Sequence, residues 1–328
     1  MSERTVRSPD PGKIQRVRDH TLPPAVSGVV DEYDARVGDR DRFLWKWAHH
    51  LFPKFTLSSV PDGDVEPLRD RKLLGLIFVS VLDDVAEKCG DRITFEEATK
   101  VPFDDRSVNH DREGVDREAL SFLSDVWDRF APGVADGPRA GEFEDVFQFD
   151  FRQVLNAIDY SYVGNQDLEF VNGSELRTYE SHNMMVFAFA DIDLIHSPSF
   201  DRSDLSTLRR VLERAQRMVR IGNWITTWER ELREGDFTSG VVVYARENGI
   251  VSAEELRGLR EDPDEAAVAA VASAIRDEDV EDVFMRRWQR ELTLARRHEG
   301  ATDSVDVGAY LDGVETVMEY HLASRGLK

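Results

Sequence analysis

One cysteine, Cys89, stands in a chain of 328 residues. Its solitude excludes an internal disulfide framework and a multi-thiolate metal site. Its place just after Glu87 and Lys88 on a predicted helix suggests a packed small residue. Lysine is also scarce: Lys13, Lys46, Lys54, Lys72, Lys88, Lys100 and Lys328 are the whole set, so nearly all positive charge is arginine. No apolar run approaches the roughly 18 residues that a membrane span needs. A signal-peptide apolar core is missing from the N-terminus, which makes the cytoplasm the expected location. A basic footprint is missing too, and a net charge of −22 opposes non-specific nucleic-acid binding. Neither a glycine-rich phosphate loop nor a G-x-S-x-G turn occurs, which removes a Ser/His/Asp hydrolase.

What is present is helix-forming. Hydrophobic residues make up 41% of the chain, enough for a substantial core. The acidic excess with few lysines suits a protein that stays soluble in concentrated salt. Residues 1–24 are polar, carry four prolines and read as a flexible N-terminal arm. Residues 25–51 take up helical spacing. His49 and His50 are adjacent, so they point about 100° apart on a helix and make no i, i+4 metal pair; both read as structural. Arg71–Cys89 is apolar on nearly all sides, as a central helix should be. A loop over 101–114 carries Asp104 and Asp105 as solvated charges. Helical patterns follow at 115–130 and 141–163, the second bearing Phe143, Phe147, Phe149 and Phe151, too densely spaced for one face. Ser174 serves as an N-cap for a helix to about Ile195, and Asp204 to Arg233 forms a long amphipathic helix. Further helices are predicted at 238–248, 252–260, 264–276, 279–297 and 305–324. The run Val241 to Tyr244 is the one strand-like stretch, and its flanks favour helix. The reading is one all-α domain over 25–328.

Two stretches carry chemistry. In IGNWITTWERELREGD, Asn223, Thr227 and Glu231 recur every fourth residue. On a helix each step turns about 40°, so the three oxygen donors fall within a sector of about 80°. Carbonyl, hydroxyl and carboxylate oxygens are what hard divalent cations prefer. Arg230 stands beside the last donor, where it could meet the phosphate of a metal-bound substrate. Far upstream, the apolar run of LIFVSVLDDVAEK ends in Asp83, Asp84 and Glu87, carboxylates that repel one another unless a cation neutralises them. Either stretch alone is equally well an ordinary polar helix face.

Together they resemble the two metal-binding motifs of class I terpene synthases, an aspartate-rich DDxxD/E motif and a later N-x3-S/T-x3-E motif. The resemblance covers about residues 40–325. It implies an α-helical barrel or bundle around a deep apolar cavity, whose mouth binds three Mg²⁺ ions (Mn²⁺ as a substitute) with a linear prenyl diphosphate. The metal ligands it implies are Asp83, Asp84, Glu87, Asn223, Thr227 and Glu231. Arg177, 46 residues before Asn223, takes the place of the diphosphate-sensing arginine. Glu180 and Ser181 stand where the family has a linker aspartate and a glycine-like effector. Arg230 and Arg325 are the further diphosphate contacts, although Gly326 replaces the tyrosine that usually follows the latter arginine. Phe78, five residues before Asp83, is the aromatic expected to line the cavity, with Trp224, Trp228, Phe147 and Phe187 behind it. Farnesyl or geranylgeranyl diphosphate is the implied substrate, and a homodimer the implied assembly.

Two alternatives stay open. A chain-elongating prenyltransferase of the same fold would need a second aspartate-rich motif, for which only the acidic run Asp277 to Asp282 offers itself. A non-catalytic helical protein that binds prenyl diphosphates is the other.

Overall fold

The apolar spacing becomes helix along the whole chain. The computed structural model describes residues 11–38, 40–261 and 264–327, and among them there is no strand. In order the helices are α1 (Pro11–Asp19), α2 (Pro24–Arg36), α3 (Arg42–Leu51), α4 (Val65–Asp83), α5 (Arg92–Ala98), α6 (Arg117–Phe130), α7 (Pro132–Ala135) and α8 (Ala140–Gln166). They continue as α9 (Gly173–Thr178), α10 (Val186–Ile195), α11 (Leu205–Glu234), α12 (Gly240–Glu247), α13 (Ala253–Glu261), α14 (Glu265–Asp277), α15 (Val280–Ala295) and α16 (Val307–Ala323). The run Val241 to Tyr244 is helical, within α12.

Two expectations about the first third need correction. Part of the arm expected to be flexible is helical and docked: α1 packs on α3 and α16, with Val17 fully buried. Lys13 reaches Glu319 at 2.6 Å, and Arg16 donates to the Tyr320 hydroxyl at 3.1 Å. A buried valine and two polar ties to the far end of the chain outweigh the local polarity that suggested a loose segment. Residues 1–10 of that arm lie outside the described residues. Cys89 is exposed rather than packed, because the helix unwinds there toward Gly90 in the left-handed region (φ 63°).

The core is built around α4, α8, α10 and α11. On α8, Phe143, Phe147 and Phe151 fall on one face and are buried, whereas Phe149 turns outward and is 55% exposed. Phe147 and Phe151 meet Trp127 and Phe130 of α6 and Phe78 of α4 in one aromatic cluster, with centroids 4.9–6.2 Å apart. Such spacing adds about 0.5–1.5 kcal/mol per pair to burial itself. Deeper still, Lys72 of α4 and Asp193 of α10 form a fully buried ion pair at 2.6 Å, and the Leu57 amide donates to the same carboxylate. Removing one member would strand a charge, at a cost of about 3–5 kcal/mol.

Backbone approach fixes one further contact. At Gly313 an added Cβ would stand 1.6 Å from the Lys54 carbonyl oxygen, so only glycine lets α16 lie this close to the 3₁₀ turn Phe52–Phe55.

Candidate metal and diphosphate site

Helix α4 delivers its carboxylates at its C-terminal end and then widens into a π-helical turn, Asp84–Lys88. Such turns inside helices commonly mark functional sites. The widening parts the three acids. Arg40 holds Asp84 with two hydrogen bonds, 2.6 and 2.7 Å, and touches Asp83 at 3.3 Å. Asp83 also accepts from Asn183 Nδ2 at 3.1 Å. Glu87 turns inward, and its Oε1 is buried without a hydrogen-bond partner among the described residues.

The second wall is the C-terminal half of α11. Asn223, Thr227 and Glu231 lie on one face, as their spacing predicts, with Thr227 donating to the Asn223 carbonyl at 2.8 Å. The helix ends at Gly235, in the left-handed region (φ 79°), and this cap turns Asp236 toward the same end. Asp236 is fixed by Asn165 Nδ2 at 3.1 Å and by the Thr238 amide at 2.9 Å.

Between the walls lies Arg220, one turn before Asn223. Its Nη1 donates to Asn223 Oδ1 at 2.7 Å, and its Nε donates to Glu180 Oε2 at 2.8 Å, with a second, closer contact from Nη2 to the same carboxylate. Burial lowers the guanidinium's pKa, opposed by the charges of Glu231, Asp83, Glu87 and Asp236 around it. Four carboxylates from both walls therefore face one buried cation.

Arg40 and Arg230 add charge at the margins, beside Asp83 and Glu231, yet the acids stay raised. Burial pushes the Glu231 carboxyl up to about 7, with Asp236 adding to the shift. Burial also raises Asp83, and Glu87 lies well above the usual carboxylate range through burial and then the charges of Asp83 and Asp236. Among the described residues no group of three His, Cys, Asp or Glu side chains is gathered tightly enough to hold an ion. Arg40 engages Asp83 and Asp84, while Arg220 is hydrogen-bonded to Glu180 and Asn223. The donor set itself fits a hard divalent ion. It is all oxygen and contains an orphaned buried carboxylate oxygen, and burial, with neighbouring acids adding to it, disfavours the charged forms of Glu87 and Glu231 in a way that added positive charge would offset.

The remaining residues singled out from sequence divide. Glu180 is fully buried against Arg220, and Ser181 is buried with its hydroxyl donating to the Arg177 carbonyl at 3.0 Å. Arg230 stays beside Glu231, at 3.8 Å, while also pairing with Glu234. Arg177 has no ion pair to the wall carboxylates among the described residues; it is exposed and lines a notch of about 160 Å³ with Trp224, Tyr244, Phe284 and Arg287. Arg325 is held by two 2.6 Å hydrogen bonds to Glu281, which also accepts from Trp228 Nε1. The same bonds engage Glu281, one member of the acidic run Asp277 to Asp282. Phe78, expected at a cavity wall, is fully buried and packs on Trp127 and Phe151.

The helix expected from Ser174 to Ile195 is broken. Asn172, not Ser174, caps α9, accepting from the Ser174 and Glu175 amides. A 3₁₀ turn, Glu180–Met184, follows, and Met185 sits in the left-handed region (φ 57°). This break aims Glu180 at Arg220 and Asn183 at Asp83, a tertiary gain that overrides local helix preference. Sequence reasoning missed Arg220, Arg40, Asn183 and Asp236. Arg220, at i−3 from Asn223 on the same helix, was open to the spacing argument that found the motif.

Comparison with known proteins agrees with this geometry. No match is found among curated proteins. Two solved structures of 2-methylisoborneol synthase from Streptomyces coelicolor A3(2) share the fold. The first, in complex with Mg²⁺ and geranyl-S-thiolodiphosphate, has a TM-score of 0.54 at 14% identity, covering 100% of this chain and 95% of that one. The second has a TM-score of 0.53 at 13% identity, covering 99% and 93%. The family model for terpene synthase family 2, C-terminal metal binding, matches residues 76–258, a span that holds both acidic walls and Arg220. The chain therefore belongs to terpene synthase family 2.

Proposed function

We propose that this protein is a Mg²⁺-dependent terpene cyclase. It ionises a linear prenyl diphosphate, farnesyl or geranylgeranyl, releases diphosphate and cyclises the allylic cation. The observation that carries the reading is Arg220, bonded to Asn223 of the second wall and to Glu180, with the charges of acids from both walls, about 140 residues apart in sequence, bearing on its guanidinium.

Asp83, Glu87, Asn223, Thr227 and Glu231 would hold the metal, with Asp84 available once Arg40 releases it. Bound Mg²⁺ supplies Lewis-acid stabilisation of the charge that builds on the leaving diphosphate. Arg220 and Arg230 add forked donors suited to phosphate oxygens. Glu180 sets the orientation of Arg220, and the Arg220–Asn223 bond couples that orientation to the second wall. Asn183 orients Asp83 in the same way. The aromatic cluster around Phe78 lies beneath Asp83 on α4. Packed ring on ring, it excludes water from beneath the acidic end.

The test is incubation with geranyl, farnesyl and geranylgeranyl diphosphates, with and without Mg²⁺. Diphosphate release and extractable hydrocarbons are followed by mass spectrometry. A cyclic product that vanishes with chelator is expected. Consumption of isopentenyl diphosphate into a longer chain, or no release from any substrate by folded protein, would overturn the proposal.

A further inference from the structure

Outside the residues of the acidic walls, positive charge gathers on one hollow. It measures about 720 Å³ and lies between α5, the loop that follows it and the outward face of α8. Five cations line it: Arg92, Lys100, Arg106, Arg112 and Arg152. Three of them are neutralised. Arg92 pairs with Glu96 and Asp159, Lys100 with Glu97, and Arg112 with both glutamates.

Arg106 and Arg152 are different. Neither has a carboxylate partner among the described residues. Each instead lies over the Phe103 ring, 4.9 and 4.8 Å from its centroid. Both charges are thus within about 10 Å of each other on one ring, a distance at which like charges at low salt still repel. Asp104 and Asp105, adjacent in sequence, do not line the hollow and leave this pair uncompensated there. Phe149, 55% exposed, lines the same hollow and adds an apolar ring face beside the guanidiniums.

Two unpaired guanidinium forks suit two phosphoryl groups, each fork matching a pair of phosphate oxygens. The open ring of Phe149 suits a flat or apolar body attached to them. We propose that this hollow is a binding site for a small organic diphosphate, separate from the acidic end. It carries its own cations and needs no metal, whereas the acidic end repels a diphosphate until a divalent ion is bound. The proposal is therefore independent of the reaction assigned to that end. The organic body is either a prenyl chain or a nucleoside.

The test is isothermal titration of the full chain at low salt with chelator present, which silences the acidic end. The probes are geranyl diphosphate, uridine diphosphate and inorganic diphosphate. Saturable binding of an organic diphosphate at one site is expected, tighter than inorganic diphosphate. It should weaken at least tenfold in the Arg106→Gln/Arg152→Gln double variant and stay unchanged in the control Arg257→Gln. Tighter geranyl diphosphate identifies a prenyl body, and tighter uridine diphosphate a nucleoside. Both arginines are exposed, so an unchanged melting temperature verifies that the double variant is folded. No saturable binding of either organic probe overturns the proposal, as does binding that survives the double substitution or is matched by inorganic diphosphate. Sedimentation that shows two copies joined through this face, and separated by the double substitution, also overturns it.

Discussion

Arg220 binds the fully buried carboxylate of Glu180, forty residues away in sequence, through Nε at 2.8 Å, and turns its other arm to Asn223. A residue of α11 thereby fastens the 3₁₀ turn that follows α9 to the second metal motif. Lysine preserves the charge but cannot serve Glu180 and Asn223 at once. Arg220→Lys should cost turnover tenfold or more while the protein stays folded. Arg220→Leu should also lower stability, by about 3–5 kcal/mol, because Glu180 is left buried and unpaired. Because Arg177 is exposed and has no ion pair to the wall carboxylates among the described residues, Arg177→Ala should lose less turnover than Arg220→Lys. Steady-state kinetics and thermal melts of the three variants check this, and the reverse order would put the diphosphate contact on Arg177.

Metal and pH should act on stability together. A carboxyl whose folded pKa is raised contributes stability that is present below its unfolded value and lost as pH rises through the folded one. For Glu231 that window runs from about 4.5 to about 7. Metal binding needs the ionised acid, so added Mg²⁺ recovers what ionisation costs. The gain in melting temperature from Mg²⁺ should therefore be larger at pH 8 than at pH 6. Glu231→Gln should flatten that difference, and a gain that is independent of pH would argue against Glu231 as a ligand.

Acid should loosen the histidine cluster between α1, α3 and α4. His20, just after α1, has its pKa lowered to about 4 by burial and then by Arg69, and its Nε2 lies 2.7 Å from His49 Nδ1. A lowered folded value means the unfolded chain binds more protons. The contribution is complete above about 6.5 and is lost as pH falls toward 4. Discounted for partial exposure, the loss at pH 5 is about 1–2 kcal/mol, or a few degrees of melting temperature. His20→Gln, which cannot charge, should show a smaller drop between pH 7.5 and pH 5 than the parent protein.

The aromatic cluster supplies a stability test. Phe78 is fully buried against Trp127 and Phe151, and Phe78→Ala should cost about 3–5 kcal/mol by leaving a cavity. Denaturant melts would measure it. A loss below 1 kcal/mol would mean that the ring borders open space after all.

The sequence made the walls legible but not what stands between them. Asn223, Thr227 and Glu231 obey a local rule, the period of a helix, whereas Asp83 and Glu87 are legible as carboxylates ending an apolar run although a π-helical turn separates them. Their partners obey no local rule. Arg40 comes from the segment before α3, Asn183 from a 3₁₀ turn, and Asp236 from beyond a left-handed glycine cap. The break between α9 and α10 was hidden because ordered polar contacts, not propensity, set it. Phe149 and Phe151 differ by two positions on one helix, and only the packed fold decides that one is exposed and the other buried.

The docking of α1 on α16 brings Lys13 and Glu319 into contact, so the beginning and the end of the described chain are neighbours in space. Topologically the fold is almost a closed loop. Where the chain is cut matters less than that its helices remain linked, and a short joint between the ends would permit circular permutants opened at an exposed turn such as Glu113–Gly114. In such a rearranged chain α4 could be made to follow α11 in sequence. The two halves of the acidic mouth would then be synthesised in the opposite order and still have the same partners to find.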